Sequence, residues 1–262
     1  MNLEIFPILD FPLVRRGDNI IKLIVNSLEK SKLVLKNGDI AVITEKIVAK
    51  AEGRVYTLSN IKPGSKALKI AEITGKEPRL VELILRETEN ILYLGEGFLL
   101  VNTNQGFVCA NAGVDMSNVG ENRAKLLPEN PDRSAEQIRK ALEDMFKIRI
   151  GVIIADSFGR SFRVGSVGIA IGCSGVEALQ DRRGERDLFR KELKVTRVAM
   201  ADNIASMANA VMGEGSEGIP AVVIRGLDVL GEGSAGDLNR DIDKDVAFKC
   251  LKERYNYKNR EV

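Results

Sequence analysis

Apolar residues along this chain fall into two rhythms, one with the spacing of a helix face and one of short unbroken runs, parted by polar stretches rich in glycine. Ile20, Ile21, Ile24, Val25 and Leu28 share one side of a helix drawn through Asp18 to Leu28. Gly38-Asp39 then turns the chain into Ile40 to Ile43, a short buried strand. Ser65 to Thr74, closed by Gly75, and the run after Pro78 predict two more helices, followed by strands near Ile91 to Leu94, Phe98 to Asn102 and Phe107 to Ala110. Ser134-Ala-Glu-Gln137 has the spacing of a capping box ahead of Ile138, Leu142, Met145 and Phe146. Ile150 to Ala155, Val167 to Ile171 and Val195 to Met200 read as strands. A helix over Asp202 to Met212, with Ile204, Met207, Ala208 and Val211 inward, and a strand over Pro220 to Arg225 complete the series. The expected fold is mixed α/β (α+β), with its most glycine-rich loops in the second half.

A length of 262 residues suffices for one large domain or two interlocked ones, and no internal repeat or low-complexity stretch points to a solenoid or a linker. With 44% hydrophobic and 29% charged residues and no apolar run of bilayer length, the composition is that of a soluble protein without a membrane partner. The first residues carry Glu4 where a secretory leader would be basic, and Pro7 and Pro12 interrupt them, so export is not expected. Cys109, Cys173 and Cys250 are odd in number and unpaired in spacing, which suits a reducing cytoplasm and argues against disulfides or a thiolate zinc site. A net charge of +2 is too balanced for a nucleic-acid binder. The composition contains 0 histidines, which removes the usual base near neutral pH and leaves oxygen as the donor for any metal, a preference of hard cations such as Mg²⁺ or Mn²⁺.

Polar residues gather with glycine in three places: Asn111 to Asn118 around Asp115, Ile154 to Arg160 around Asp156 and Ser157 at a strand end, and Met212 to Gly218 around Glu214 and Glu217. Singly, each is what ordinary turn chemistry produces. Together, carboxylates, amides and free glycine N–H groups suit a divalent cation and the phosphate oxygens that travel with it. Lys46 and Lys50 follow a strand, and their spacing fits a solvated helix face as well as it fits phosphate binding. No Walker sequence is present, and GEGSEG follows a helix where a dinucleotide fingerprint would open one, so the expected fold is neither P-loop nor Rossmann.

The segments FPLVRRGD, TEKIVAKAEGR, NAGVDMSN, IIADSFGRSFRVGSVGIAIG and MGEGSEGIPAVVIRGL, in that order, resemble the coenzyme F420-0:L-glutamate ligase family from Phe6 to about Ser234. The resemblance implies the fold of that family, with two interlocked domains and an intertwined homodimer. It implies ligation of L-glutamate to coenzyme F420-0 with GTP consumed to GDP and phosphate, then a γ-linked second glutamate, with Mg²⁺ or Mn²⁺ at two sites and help from K⁺. Phe11, Pro12, Leu13, Val14, Glu45, Lys46, Lys50 and Asn118 match nucleotide contacts, as does the stretch Ala210, Val211, Met212, Gly213, Glu214, Gly215, Ser216, Glu217. Asp115, Asp156, Ser157 and Glu214 match metal ligands, and the three acids among them are the expected catalytic groups. The family also accepts threonine at the position of Ser157, and at Glu45 the backbone is the firmer match. The tail after Ser234, ending RYNYKNREV, carries no motif.

Such chemistry needs no histidine, because the γ-phosphoryl group of GTP activates the acceptor carboxylate as an acyl phosphate and catalysis is mostly electrostatic. Arg160 and Arg163 fit either a carboxylate or phosphodiester contact or surface ion pairs. Two other readings remain open at this point: a ligase of the same fold with a different acid acceptor, and a nucleotide-binding protein without turnover.

Overall fold

The protein is described by a computed structural model covering residues 2–241 and 244–249. Cys250 and the RYNYKNREV tail lie outside the described residues. The chain runs β1 (Glu4–Pro7), α1 (Ile20–Lys30), β2 (Ile40–Thr44), α2 (Glu45–Ala51), β3 (Val55–Thr57), α3 (Ser65–Thr74), α4 (Pro78–Arg86), β4 (Thr88–Gly95), β5 (Phe98–Thr103), β6 (Val108–Ala110) and β7 (Arg123–Lys125). It continues with α5 (Pro131–Phe146), β8 (Gly151–Gly159), β9 (Ser166–Ser174), β10 (Leu179–Asp181), β11 (Arg197–Ala199), α6 (Met200–Met212) and β12 (Ala221–Arg225). Two compact units result, one from the residues up to Ala51 with Asn130–Leu238, the other from Glu52–Glu129 with the described residues after Leu238.

The first unit is built on a five-stranded sheet in the order β1-β12-β2-β8-β9. Only β2 and β8 run parallel; the other neighbours are antiparallel. β2, the first half of β8 and β12 are unbroken apolar runs because both faces of the sheet are covered. Alternate residues Ile40, Val42, Ile153, Val222 and Ile224 share a cluster with Ala201, Ile204, Ala205, Ala208 and Met212 of α6. α5 packs along β8 and β9 through its buried residues Ala135, Ile138 and Leu142. Cys173 is buried and free on β9, and burial, reinforced by the charge of Asp132, pushes its thiol up to about 12, so it behaves as an apolar side chain. Cys109 is likewise buried and free.

Several boundaries differ from the sequence reading for identifiable reasons. α5 begins at Pro131 under an Asn130 cap, whose Oδ1 accepts from the Arg133 N–H at 3.0 Å; Ser134, expected to be the cap, sits inside the first turn and donates to the Asn130 carbonyl. Met145, expected inward, is exposed on the last turn, which ends with Lys147 in the left-handed region. Of Val195 to Met200 only Arg197–Ala199 is strand, and Met200 already opens α6. On α6 Ile204 and Ala208 are fully buried as expected, joined by Ala201 and Ala205, while Met207 and Val211 only flank the core.

The second unit contains an antiparallel meander β4-β5-β6 and a separate β3-β7 pair. Ala67, Ile70 and Ala71 of α3 and Val81 and Ile84 of α4 pack with Leu99 and Val101 of the meander. The half-buried Arg54 guanidinium donates to Glu87 at 2.6 Å and to the Leu127 carbonyl at 3.0 Å, which ties β3 to the end of α4. Among the described residues no helix is long and apolar enough to cross a membrane.

One polar contact lies beneath the first sheet. Asp39, 0% exposed at the entry to β2, accepts two bonds of 2.7 Å from the Arg225 fork at the end of β12 and a third from the Lys36 N–H at 2.8 Å. Arg225 also donates to the Val34 carbonyl and stacks 5.0 Å above the Phe6 ring of β1. A buried carboxylate without its partner is costly. Arg225→Met should therefore lower unfolding stability by about 3–5 kcal/mol in a denaturant titration. Asp39→Asn combined with Arg225→Met should lose less than Arg225→Met alone.

Candidate functional site

Parallel pairing of β2 and β8 fixes what stands at one end of the first sheet. Thr44 is the register partner of Ala155, so Glu45 and Lys46, which leave the end of β2, stand beside Asp156 and Ser157 of β8. Strands lie about 5 Å apart, and the carboxyl ends of parallel strands are where open α/β sheets bind ligands. α2 starts there with no intervening loop. Glu45 is buried, and Lys46 and Lys50 are half-buried. A fully solvated helix face is thus excluded for the two lysines. Burial first, then the charge of Lys46, holds the Lys50 ammonium below its usual range, with Glu45 opposing. An anion beside Lys50 would relieve that penalty.

Asp156 and Ser157, expected at a strand end, instead lie within a longer hairpin. Asp156 pairs with Ile169 and Ser157 with Gly168, and β8 continues to Gly159 opposite Ser166. A register shift between Ile154 and Ala155 leaves Ile171 as the extra residue on β9, which re-aims the side chains that follow. The hairpin tip is Arg160 to Gly165. There Arg160 donates to the Gly165 carbonyl at 3.1 Å and so helps close the turn, while Arg163 is exposed.

α6 meets this hairpin at unusually close range. A Cβ at Gly168 would lie 2.3 Å from the Ala205 carbonyl oxygen, so only glycine admits the helix. The Ser206 hydroxyl donates to the Gly168 carbonyl at 2.8 Å, and Asp202 accepts from the Ala170 N–H at 2.9 Å. The helix stops at Gly213, whose φ of 71° and ψ of −178° belong to glycine. That turn delivers Glu214 back to the hairpin: its Oε2 accepts from the Ser157 hydroxyl at 2.9 Å and its Oε1 from the Asn209 amide at 2.9 Å. The Ser157 N–H itself donates to Asp156 Oδ1 at 2.8 Å.

Of the stretch Ala210 to Glu217, the first three residues form the last turn of α6, and Met212 points into the core. Gly213, Glu214, Gly215, Ser216 and Glu217 make the loop. The Gly215 N–H, expected to be free for phosphate, donates to Glu217 Oε2 at 2.8 Å. Phe11, Pro12, Leu13 and Val14 follow β1; Val14 is buried and Leu13 is 87% exposed. Their loop is closed by Asp18 accepting from the Arg15 N–H and is tied to the end of α2 by the Gly17 N–H donating to the Ala51 carbonyl at 2.8 Å.

Asp115 and Asn118 belong to the second unit. Three successive left-handed residues, Asn111, Ala112 and Gly113 at φ 55°, 53° and 67°, precede them. Asn111 Oδ1 accepts from the Leu99 N–H at 3.1 Å and so pins the turn to β5. Asp115 exchanges both backbone hydrogen bonds with Lys125, and its carboxylate accepts from the Ser117 N–H at 2.8 Å. Lys125, opposite Asp115, is 1% exposed; nothing in its local sequence marks a buried lysine. Asn209 was also missed, because an amide on a helix carries no signal until the following loop folds back. Among the described residues no three Asp, Glu, Cys or His side chains gather closely enough to hold a metal by themselves. The Ser157 hydroxyl and the Glu214 carboxylate nonetheless form an oxygen pair, with Asp156 next in the chain and bonded to the Ser157 N–H, and oxygen is the donor hard cations prefer.

Residues 8–226 match the family described as F420-0:Gamma-glutamyl ligase. The chain is 49% identical to the coenzyme F420:L-glutamate ligase of Methanocaldococcus jannaschii, over 91% of this chain and 94% of that one. It is 48% identical to the protein of the same name from Methanothermobacter thermautotrophicus, over 86% and 90% of the two chains. For the Archaeoglobus fulgidus protein of that name, the identity is 45% over 96% and 99%.

Asp202 yields a test of the α6–β9 seam. Burial holds its carboxyl above the usual range, opposed by the Ala170 N–H. Because the folded value is the higher one, ionisation costs stability, and that cost grows as pH rises from the ordinary 3.8 through the folded value. Asp202→Asn keeps an acceptor for Ala170. It should raise the melting temperature at pH 7, with the gain disappearing below the ordinary carboxylate range in thermal scans across pH.

Proposed function

The chain belongs to the F420-0:gamma-glutamyl ligase family, and from that premise we propose that it joins L-glutamate to coenzyme F420-0 at the expense of GTP and then adds a second glutamate through a γ-linkage. The observation that carries this reading to particular residues is the Ser157–Glu214 hydrogen bond beside Asp156, at the end of the sheet where α2 presents Lys46 and Lys50.

In the first step a carboxylate oxygen of F420-0 attacks the γ-phosphorus of GTP, the bond to the β–γ bridging oxygen breaks, and GDP leaves. The amine of glutamate then attacks the acyl phosphate carbon, releases a proton to water and displaces phosphate, leaving an amide. Lys46 and Lys50 bind phosphate charge. Phe11 to Val14, Asn118 and the loop through Glu217 hold the nucleotide, with Glu217 yielding the Gly215 N–H when phosphate arrives. Asp115, Asp156, Ser157 and Glu214 are the groups that would hold Mg²⁺ or Mn²⁺ at two sites, aided by K⁺. Bound there, the cations supply neutralisation of the triphosphate and of the charge that develops in phosphoryl transfer.

We also propose a homodimer. Phe162, Val164, Leu188, Phe189 and Val195 are almost fully exposed on the β8–β9 and β10–β11 connections, and apolar side chains grouped on the surface in this way are the material of protein–protein contacts. Sedimentation should return twice the chain mass; a monomer at micromolar concentration would overturn the dimer.

The decisive assay supplies GTP, F420-0, glutamate and Mn²⁺ and follows GDP with the glutamylated product. Asp156→Asn should lower kcat by about 10²-fold or more, and Lys50→Met should raise the KM for GTP with a smaller effect on kcat. GDP release with another acid acceptor but not with F420-0 would replace the substrate assignment. Binding of GTP without turnover under any condition would replace the enzymatic one.

A further inference from the structure

We infer that Asn209 is a positioning residue for the cation site, the group that fixes the Glu214 carboxylate in place; this rests on the metal reading of Ser157 and Glu214 above. Asn209 lies on the last full turn of α6, half-buried, where a Cβ at Gly168 would come within 2.8 Å of its own Cβ. Its amide is therefore held against the hairpin strand that carries the register partner of Ser157. The nitrogen, not the oxygen, must face Glu214, because two acceptors 2.9 Å apart would repel.

The bonds dictate the state of Glu214. Oε1 accepts from Asn209 and Oε2 from Ser157, so each oxygen keeps one lone pair for a further partner. A serine hydroxyl that offers a lone pair to a cation points its O–H away from it, and Glu214 Oε2 accepts that hydrogen bond. Without Asn209, Glu214 is an exposed side chain on a glycine loop, held by Ser157 alone. The amide supplies the second point that stops the carboxylate rotating away from the hydroxyl. This is the relation of an outer partner to a metal ligand, whose loss typically weakens binding about 10–100-fold. Gly168 supports the same arrangement from below by admitting α6 to the strand.

The test is a titration of the full-length protein with Mn²⁺ alone, following the free aquo-ion by electron paramagnetic resonance, alongside thermal unfolding. Asn209→Leu preserves size and removes the donor. Its Mn²⁺ affinity should fall about 10–100-fold, whereas in a Glu214→Ala background the same substitution should change nothing further. Should Asn209→Leu fail to fold, Asn209→Ser is read in the same way. Equal losses in both backgrounds would mean that Asn209 acts on the fold in general and would overturn the inference. Unchanged affinity in Asn209→Leu, with Glu214→Ala impaired, would overturn it while leaving the ligand reading standing. Parental Mn²⁺ binding in Glu214→Ala would overturn the ligand reading and the inference together.

Discussion

Parallel pairing between β2 and β8 is the constraint on which the first unit depends. It sets the end of β2 beside the middle of β8, so that the acid and lysines opening α2 stand next to Asp156 and Ser157, where β8 runs on. Neither segment has this neighbour in sequence. The pairing also explains why both strands are apolar throughout their paired length, since covering helices leave no face for polar residues. Polar chemistry is thereby confined to the end of β2 and the stretch of β8 that runs on past it.

The α6–β9 seam performs the complementary task. Small residues, Gly168 on the strand and Ala201, Ala205 and Ala208 on the helix, bring two backbones close enough for Ser206 and Asp202 to bond strand groups directly. Closeness at this seam holds the helix against the strand, and Gly213, which ends the helix, determines where Glu214 goes. A larger residue at Gly168 would act on Glu214 without touching it.

Much of this was legible from residue patterns. Helices with a clear stripe and a glycine stop, such as Ser65 to Thr74 before Gly75, appear where periodicity puts them, because local propensity and tertiary packing agree there. The misses share a cause. Ser134 has the spacing of a cap, but Asn130 followed by Pro131 is a stronger start one helical turn earlier. Asp156 and Ser157 look like turn residues because polar groups beside glycine usually are, yet Gly168 across the hairpin supplies a strand partner no local window contains. Among candidate site residues, types and segments could be read directly, and the Ser157–Glu214 contact could not. It depends on Gly213 taking a backbone conformation and on Asn209 receiving the returning loop.

Strand order in the first sheet has a bearing on biosynthesis. β1 pairs with β12, and β2 pairs with β12 and β8, so both early strands hydrogen-bond only to segments that leave the ribosome after the whole of Glu52–Glu129. Loops that long close slowly. The amino-terminal segment up to Ala51 thus waits with its apolar strands unmatched, while the inserted segment is already complete in length. For this topology the piece translated first is among the last to be finished, and the apolar Ile40 to Ile43 stays without its strand partners in the meantime.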